Sequence, residues 1–381
     1  MFWIHGGAYL IGDGDDFVYG PGLLMRENVI VVTINYRLSS LGFLSTGDKF
    51  AQGNYGMKDM VLALNWVQEN IAAFGGNPRS VTVFGQSAGS ASIHFLLLSD
   101  MSNGLFQQAI MQSGSALSPF ALQRNVKARA VDLGHRLKLS FNSSETLIQQ
   151  LRTVHFNDIL KSARGLFQME EPLGLRPFDF VPSIEPEDSH EEVFLKDDPE
   201  VLMKEKKFNT MPMIIGTTSN EGLLMVRQYM LDRQVFERFN SNPYFFVPLS
   251  FKLPEKSKEV NEVYIAFKSL YFNGTNLSPE TLDDWAHFHT DAQFKFPIDR
   301  TIKHFAGKST YPIYYYNFSY DGGLNILKTL LFLRSYEGAC HADDIFYLFT
   351  PRIPIPIWPT DHAITVRKRL IRLWANFAKF G

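Results

Sequence analysis

One serine in this sequence stands where a nucleophile would. The stretch Gly85-Gln86-Ser87-Ala88-Gly89 follows a short β-branched run, 81–84, and precedes a helical pattern from Ala88 to Leu98. A G-x-S-x-G sequence between a strand and a helix is typical of a nucleophile elbow, a sharp turn that presents the serine hydroxyl at the positive end of the helix. The pattern predicts that Ser87 attacks a substrate; the alternative is a serine that only caps the helix.

The first residues of the chain offer a partner for that nucleophile. His5-Gly6-Gly7-Ala8 follows the apolar stretch Phe2-Trp3-Ile4. A glycine loop after an early strand supplies backbone N–H groups to an oxyanion, together with the residue that follows the serine. We therefore predict an oxyanion hole made of Gly7, Ala8 and Ala88, in a loop whose backbone His5 supports. An ordinary Gly-Gly turn is the alternative interpretation.

A nucleophilic serine requires a base, and the base requires an acid that orients it. With this type of elbow the acid follows the serine in the chain and precedes the base. Chain order alone leaves five histidines after position 225: His287, His289, His304, His341 and His362. We expect His287 and His289 at the surface, because the stretch around them is charged and helical. The acid is one of 39 Asp and Glu residues, most of which we expect to be solvated.

The elements that must position these groups alternate between strand and helix. Strand-like runs occur at 2–4, 29–36, 81–84, 211–216 and 311–317, and helical patterns at 55–73 and 88–98. Alternation of this kind predicts a mostly parallel sheet with helices on both faces. The charged stretches near 120–205 and 225–300 predict helical insertions over one end of the sheet. No internal boundary is visible, so we expect residues 1–381 to form a single α/β domain.

Several motifs together resemble the type-B carboxylesterases, the family of cholinesterases and insect juvenile hormone esterases. The similarity covers the whole chain, and the motifs that carry it lie at 74–89, 35–44, 53–59, 112–115, 338–344 and 373–378. The resemblance implies an α/β-hydrolase fold and a serine carboxylic ester hydrolase that cleaves apolar esters through an acyl-enzyme. It implies no metal or cofactor, and its substrate would be a small-molecule ester.

The resemblance also assigns the remaining members of the site. It selects His341, within 338–344, as the base, and it places Glu221, after the strand-like run 211–216, as the acid. If Glu221 does not have this role, Asp343 and Asp344 are the next carboxylates to consider. Ser113 would hydrogen-bond the acid, as its counterpart does in relatives.

Two residues of the resemblance concern the substrate pocket. Gln86 stands where cholinesterases have Glu, so a quaternary ammonium substrate loses its attracting charge. Phe120 stands where relatives have Trp, and the smaller ring predicts room for a bulkier acyl group. Two alternatives to an active esterase remain. One is a non-catalytic, neuroligin-like adhesion module, which the joint presence of Ser87, Glu221 and His341 disfavours; the other is an inactive truncated esterase.

Composition limits the partners and the compartment. A hydrophobic content of 45% and a net charge of −2 favour a large core and give no indication of nucleic acid or an anionic membrane as a partner. No apolar run approaches the roughly 20 residues of a membrane span, and the oligomeric state stays open. A lone cysteine, Cys340, suggests a reducing compartment. Four glycosylation sequons favour secretion instead, at Asn142, Asn273, Asn276 and Asn317.

The beginning of the chain bears on the same question. Positions 1–12 lack the basic region of a signal peptide, whereas the resembled family has a signal peptide and an N-terminal β region upstream and a further segment downstream. We therefore expect a fragment, truncated at both ends, of a longer secreted glycoprotein. The stretch Phe2-Trp3-Ile4 would then be a strand in the middle of the sheet, with neighbours partly upstream.

Overall fold

A single parallel sheet forms the centre of the molecule. The structure is a computed structural model that describes residues 1–163, 175–187, 191–248, 251–352 and 359–381. Six strands pair in the order β2-β1-β3-β4-β5-β6, and every pairing is parallel. The strands are β1 (Phe2–Ile4), β2 (Val32–Thr33), β3 (Thr82–Gln86), β4 (Gln108–Gln112), β5 (Met213–Thr218) and β6 (Ile313–Phe318).

Helices connect the strands and fill the long stretches between them. In chain order they are α1 (Gly22–Met25), α2 (Ser39–Phe43), α3 (Tyr55–Asn70), α4 (Ala88–Leu98), α5 (Val126–Arg136), α6 (Ser144–Leu151), α7 (Phe156–Ser162), α8 (Pro199–Lys204), α9 (Leu223–Leu231), α10 (Val235–Ser241), α11 (Lys258–Phe272), α12 (Leu282–His289), α13 (Phe296–Ala306), α14 (Ile326–Leu330), α15 (Ile345–Leu348) and α16 (Asp361–Phe380). A π-helical turn, Thr290–Lys295, joins α12 to α13. Short 3₁₀ turns lie at Ile71–Phe74, Asp100–Ser102, Pro243–Phe246 and Pro279–Thr281.

The central strands are buried on both faces. Every residue of β1, β3 and β5 is buried, which explains why their sequences are apolar without a polar alternation. Successive side chains point to opposite faces, so Trp3 and Phe84 belong to one core and Phe2 and Val83 to the other. The rings of Trp3 and Phe84 lie 4.8 Å apart, and the two cores hold the carboxyl ends of β1 and β3 side by side.

The structure corrects two expectations about strands. The run 29–36 contributes only β2, Val32–Thr33, because its one ladder partner is β1 and that ladder joins only two residue pairs. The stretch Phe2-Trp3-Ile4 does lie inside the sheet, but both of its hydrogen-bonded neighbours, β2 and β3, come from later in the chain. An upstream neighbour is not required to pair either side of β1.

Helices occupy much of the long stretches between β4 and β6, although the described segments 113–125, 175–187 and 191–198 form none. Helices α5 to α8 occupy the first predicted insertion, of which 164–174 and 188–190 lie outside the described residues. Helices α9 to α13 occupy the second, of which 249–250 lie outside them. Within the described ranges, no helix combines the length and the apolar character that crossing a bilayer requires.

Candidate active site

The serine of the elbow sits in a strained backbone conformation between β3 and α4. Ser87 has φ 59° and ψ −122°, a region that non-glycine residues seldom adopt without a tertiary constraint. Close packing supplies the constraint, because a Cβ atom at Gly89 would lie 2.0 Å from the carbonyl oxygen of Ile4. The N–H of Ser87 donates to the carbonyl of Gln112 at 2.8 Å. The same carbonyl explains the first glycine of the motif, since a Cβ atom added at Gly85 would lie 2.7 Å from it.

The loop after β1 turns back on itself beside the elbow. Gly7, Ala8 and Tyr9 have φ values of 114°, 58° and 61°, so three consecutive residues adopt left-handed conformations. The carbonyl of Gly7 accepts hydrogen bonds from the N–H groups of Leu10 and Ile11. The N–H groups of Gly7, Ala8 and Ala88 donate to none of the described residues, so these three donors remain for a ligand.

His5 packs and hydrogen-bonds at the start of this loop. Its ring stacks on Tyr36 with centroids 4.4 Å apart, and the Tyr36 hydroxyl donates to the His5 carbonyl at 2.8 Å. His5 Nδ1 donates to the carbonyl of Gly6 at 2.8 Å. Burial lowers the pKa of His5, so the ring is neutral at physiological pH. These contacts agree with the supporting role predicted for this residue.

The structure brings the predicted base and acid together. His341 Nδ1 lies 2.6 Å from Glu221 Oε2, and the other carboxylate oxygen of Glu221 accepts from the N–H of Thr218 at 2.7 Å. Glu221 is fully buried. Because a carboxylate only accepts hydrogen bonds, Nδ1 of the imidazole carries the proton and Nε2 presents its lone pair. This is the tautomer that a general base requires.

The loops that carry the acid and the base are hydrogen-bonded to each other. Ser219 Oγ accepts from the N–H of Ala339 at 2.9 Å. Asn220 donates its backbone N–H to the carbonyl of Ala339 at 2.9 Å and its side-chain amide to the carbonyl of Glu337 at 3.1 Å. Three contacts on adjacent residues thus fix the register of Glu221 against His341.

The two aspartates after His341 have other partners. Asp344 Oδ2 accepts from the Gln112 amide at 2.8 Å and from the Tyr316 hydroxyl at 3.0 Å. Asp343 accepts from the N–H of Cys340 at 2.7 Å. Burial raises the pKa of Asp343 to about 7 and that of Asp344 to about 6. Neither carboxylate bonds the imidazole, so the geometry favours Glu221 among the three alternatives.

A buried lysine, Lys328, hydrogen-bonds the loop that carries His341. Lys328 is fully buried, pairs with Asp321 and donates to the carbonyl of Gly338 at 2.8 Å. Its own N–H donates to Asp343 Oδ1 at 3.2 Å. The buried side chains of Lys328 and Asp343 therefore both bond the loop around His341. Such buried polar networks are rigid when their members are satisfied.

The second imidazole nitrogen of His341, Nε2, contacts Gln86, the residue before Ser87. Gln86 Nε2 lies 3.0 Å from His341 Nε2. Among the described residues, Ser87 Oγ makes no hydrogen bond with His341. Phe294 packs its ring 4.7 Å from the imidazole, and Phe120, itself buried, lies 5.9 Å from Phe294. Gln86 and Phe120, the two predicted pocket residues, are therefore linked to the base directly and through one ring, respectively.

One predicted contact is not formed, and one predicted surface position is wrong. Ser113 Oγ is buried and has no hydrogen-bond partner among the residues that the structure describes, so it does not bond Glu221. The backbone of Ser113, at φ 58°, donates its N–H to the carbonyl of Gly216 instead. His289 is fully buried, against the expectation of a surface position, and its Nδ1 lies 2.7 Å from Gln293 Nε2. Burial lowers the pKa of His289 to about 3. His287 is exposed, as expected.

Sequence reasoning missed three parts of this arrangement. Ser219 and Asn220 stand next to the predicted acid, yet only the folded loops show what they bond. Phe294 lies in a stretch with no catalytic signature. Trp285, Phe288 and His289 follow one another at helical spacing, a pattern that indicates a buried face and that the charges around them concealed. The four sequon asparagines are all exposed.

Comparison with known proteins gives one consistent family. All residues, 1–381, match the carboxylesterase family. The chain is 34% identical over 400 residues to juvenile hormone esterase of Tribolium castaneum, covering 100% of this chain and 67% of that protein. It is 33% identical over 389 residues to esterase FE4 of Myzus persicae, with coverages of 99% and 66%.

A solved structure agrees with these sequence relatives. Juvenile hormone esterase of Manduca sexta, crystallised with OTFP covalently attached, superposes with a TM-score of 0.88 and 30% identity over 100% of this chain and 71% of that one. The chain thus spans about two thirds of the length of the insect relatives it matches.

Proposed function

The chain belongs to the carboxylesterase family and is an enzyme with the α/β-hydrolase fold, and from this premise we propose that it cleaves apolar carboxylic esters through an acyl-enzyme formed on Ser87. The observation that carries the proposal is the buried His341–Glu221 pair, whose second nitrogen, Nε2, contacts Gln86 of the elbow that presents Ser87. An acid, a base and a nucleophile in this arrangement are typical of acyl transfer.

In the first half-reaction, Ser87 Oγ attacks the ester carbonyl carbon while His341 Nε2 accepts the hydroxyl proton. The carbonyl oxygen becomes an anion, and the N–H groups of Gly7, Ala8 and Ala88 donate to it. Glu221 stabilises the imidazolium that forms. The imidazolium then delivers its proton to the alkoxide oxygen, the C–O bond breaks, and the alcohol leaves.

The second half-reaction repeats these roles with water as the nucleophile. His341 takes a proton from the water as its oxygen attacks the acyl carbon. The same N–H groups stabilise the second oxyanion, and the proton then returns to Ser87 Oγ as the carboxylic acid is released. Residues of this chain supply every proton transfer in the scheme.

The side chains around the base support an apolar substrate. Phe294 is buried against His341 and Phe120 is buried against Phe294, and Gln86, the side chain next to the nucleophile, is uncharged. Apolar walls with a few oriented polar groups are the usual composition of a small-molecule site. A cationic ester would find no anionic side chain at position 86.

The non-catalytic alternative has less support. Burying a carboxylate at 2.6 Å from an imidazole costs free energy of desolvation. A module that only binds a partner at its surface gains nothing from such a pair, whereas a hydrolase uses it. The exposed sequons Asn142, Asn273, Asn276 and Asn317 support a secreted, glycosylated protein as part of the same proposal.

The decisive experiment replaces the nucleophile. Ser87→Ala is expected to lower kcat for 4-nitrophenyl butyrate by about 10³-fold or more and to abolish labelling by a fluorophosphonate. Mass spectrometry of the wild type should place the phosphonyl group on the peptide that contains Ser87. Ser80→Ala, at an exposed serine outside the elbow, is the matched control and should keep both signals. Undiminished labelling of Ser87→Ala would exclude the mechanism.

A further inference from the structure

The amide of Gln86 occupies the nitrogen of His341 that the proposed reaction uses. Gln86 Nε2 lies 3.0 Å from His341 Nε2, and the bond to Glu221 leaves that nitrogen as an acceptor. The amide N–H therefore donates to the imidazole lone pair. In the described chain, the Ser87 hydroxyl has no such bond, so the base is held by the neighbour of the nucleophile rather than by the nucleophile itself.

The surroundings confine Gln86 to this position. Gln86 is buried, is the last residue of β3 and pairs in register with Gln112. On its other side, a Cβ atom at Gly6 would lie 2.8 Å from Gln86 Oε1 and 2.7 Å from the Gln86 carbonyl oxygen. The missing side chain of Gly6 thus makes room for the carboxamide between the oxyanion loop and the base.

We propose that Gln86 is a positioning residue for His341: its carboxamide donates to Nε2, keeps the imidazole oriented, and releases the nitrogen when Ser87 transfers its proton. This inference rests on the proposed function, since it assumes that His341 is the base. The residue next to Ser87 thus supplies a neutral N–H donor, the Gln86 carboxamide, and not a carboxylate.

Besides Gln86, three elements present side chains to His341. Glu221, from the loop after β5, bonds Nδ1 directly. Asp344, from the loop of His341 itself, interacts with it through space, and Tyr316 of β6 bonds Asp344. Phe294, from the π-helical turn, presents an uncharged ring. The two carboxyl groups favour a charged imidazolium, whereas an N–H donor at Nε2 favours the neutral ring.

Substitution at position 86 should therefore move the acid limb of the pH profile of kcat/KM. Gln86→Glu keeps the shape of the side chain and places an anion at Nε2, which should shift the acid limb upward by about one pH unit or more. Gln86→Met keeps the length but removes the donor, and it should give a smaller upward shift with a fall in kcat of about tenfold. The expected order of the limbs is wild type, then Met, then Glu.

The measurement is kcat/KM for the neutral ester 4-nitrophenyl butyrate from pH 5 to 9. Gln123→Met is the matched control, because Gln123 is equally buried but bonds the backbone groups of Phe178 and Asn125; its acid limb should coincide with that of the wild type. Thermal melts identify any variant that has lost its fold, and the near-isosteric Gln86→Glu alone tests the shift if Gln86→Met unfolds.

Two outcomes separate this inference from the proposed function. If Gln86→Glu and Gln86→Met change only KM and leave the acid limb in place, Gln86 merely lines the pocket and the inference is wrong, even when Ser87→Ala is inactive. If Ser87→Ala keeps full activity, the proposed function itself fails, whatever position 86 does.

Discussion

Glu221 Oε2 lies 2.6 Å from His341 Nδ1 although 120 residues separate them in the chain. The contact depends on two loops that leave different parts of the sheet region and bond each other at Ser219, Asn220 and Ala339. Because Glu221 is fully buried, solvent screens the pair little. The fold itself therefore holds the proposed acid and base together.

Replacing the acid by its amide tests this pair. Glu221→Gln keeps the size of the side chain but removes the charge that stabilises the imidazolium, and it allows the wrong tautomer of His341. We expect kcat for 4-nitrophenyl butyrate to fall by about 10²- to 10⁴-fold, by analogy with other catalytic triads, with little change in KM. Glu337→Gln, an exposed carboxylate on the adjoining loop, should behave like the wild type. Full activity in Glu221→Gln would assign the role to another carboxylate.

The hydrogen bond between the loop of Glu221 and the loop of His341 can be tested separately. Ser219→Ala removes the acceptor of the Ala339 N–H, and a donor left without a partner costs about 1–3 kcal/mol. We expect a loss of about 1–2 kcal/mol in the free energy of unfolding by urea and a severalfold fall in kcat, since His341 loses part of its support. Ser335→Ala, at an exposed serine nearby, is the control. Normal stability and kcat in Ser219→Ala would show that the contact is dispensable.

The loop after β1, which we propose binds the oxyanion, depends on a glycine for two reasons that can be separated. At Gly7, φ is +114° and an added Cβ would lie 2.1 Å from the carbonyl oxygen of Ile11. Gly75 also has a positive φ, +81°, but nothing lies within 4 Å of its Cβ position. Both substitutions to Ala carry the backbone cost, of order 1 kcal/mol, whereas only Gly7→Ala displaces the loop.

We therefore expect Gly7→Ala to lower kcat by about 10²-fold or more, the size of the loss when one oxyanion donor is removed. Gly75→Ala should lower the melting temperature by a few degrees and keep its activity. Steady-state kinetics and thermal melts of the two variants, side by side, check this prediction. Equal kcat values in both would mean that the loop after β1 does not hold the oxyanion.

The elements near the nucleophile were predictable because their signals are local. Helix α4 begins and ends at Ala88 and Leu98, as its pattern indicates, and β3 extends only two residues past the predicted run. The strand predicted at 29–36 is too long because strand length is set by the partner as well as by propensity. Its partner, β1, is three residues long. No property of the run itself contains that information.

The site residues also divide into those with a local sequence signal and those without one. Ser87, Gly7 and Ala8 carry their signal in adjacent residues, whereas choosing His341 among five histidines needed the family resemblance. The contact of Gln86 with His341 spans 255 positions, and the Ser113 hydroxyl has no partner within the described ranges. Side-chain partners at such separations follow from the fold and not from spacing.

The last prediction concerns Asp344 and the pH dependence of stability. Burial raises the pKa of Asp344 from 3.8 to about 6 in the folded protein, with the charge of Glu221 acting in the same direction and the Gln112 hydrogen bond opposing both. Between about pH 4 and 6 the unfolded chain has lost this proton while the folded protein retains it. Raising the pH through this window therefore favours unfolding, and the stability present below pH 4 is lost by about pH 6.

Asp344→Asn removes that titration but keeps an oxygen to accept from Gln112 and Tyr316. A difference of about two pH units corresponds to about 3 kcal/mol, so the variant should gain up to that amount relative to the wild type between pH 4 and pH 7. Urea unfolding at pH 4, 5, 6 and 7 measures the two slopes. The variant's curve should fall less steeply than the wild type's below pH 6 and run parallel to it above. Parallel curves across the whole range would mean that Asp344 ionises in the folded protein as it does in the unfolded chain, and that its burial beside Glu221 is compensated by its two hydrogen bonds.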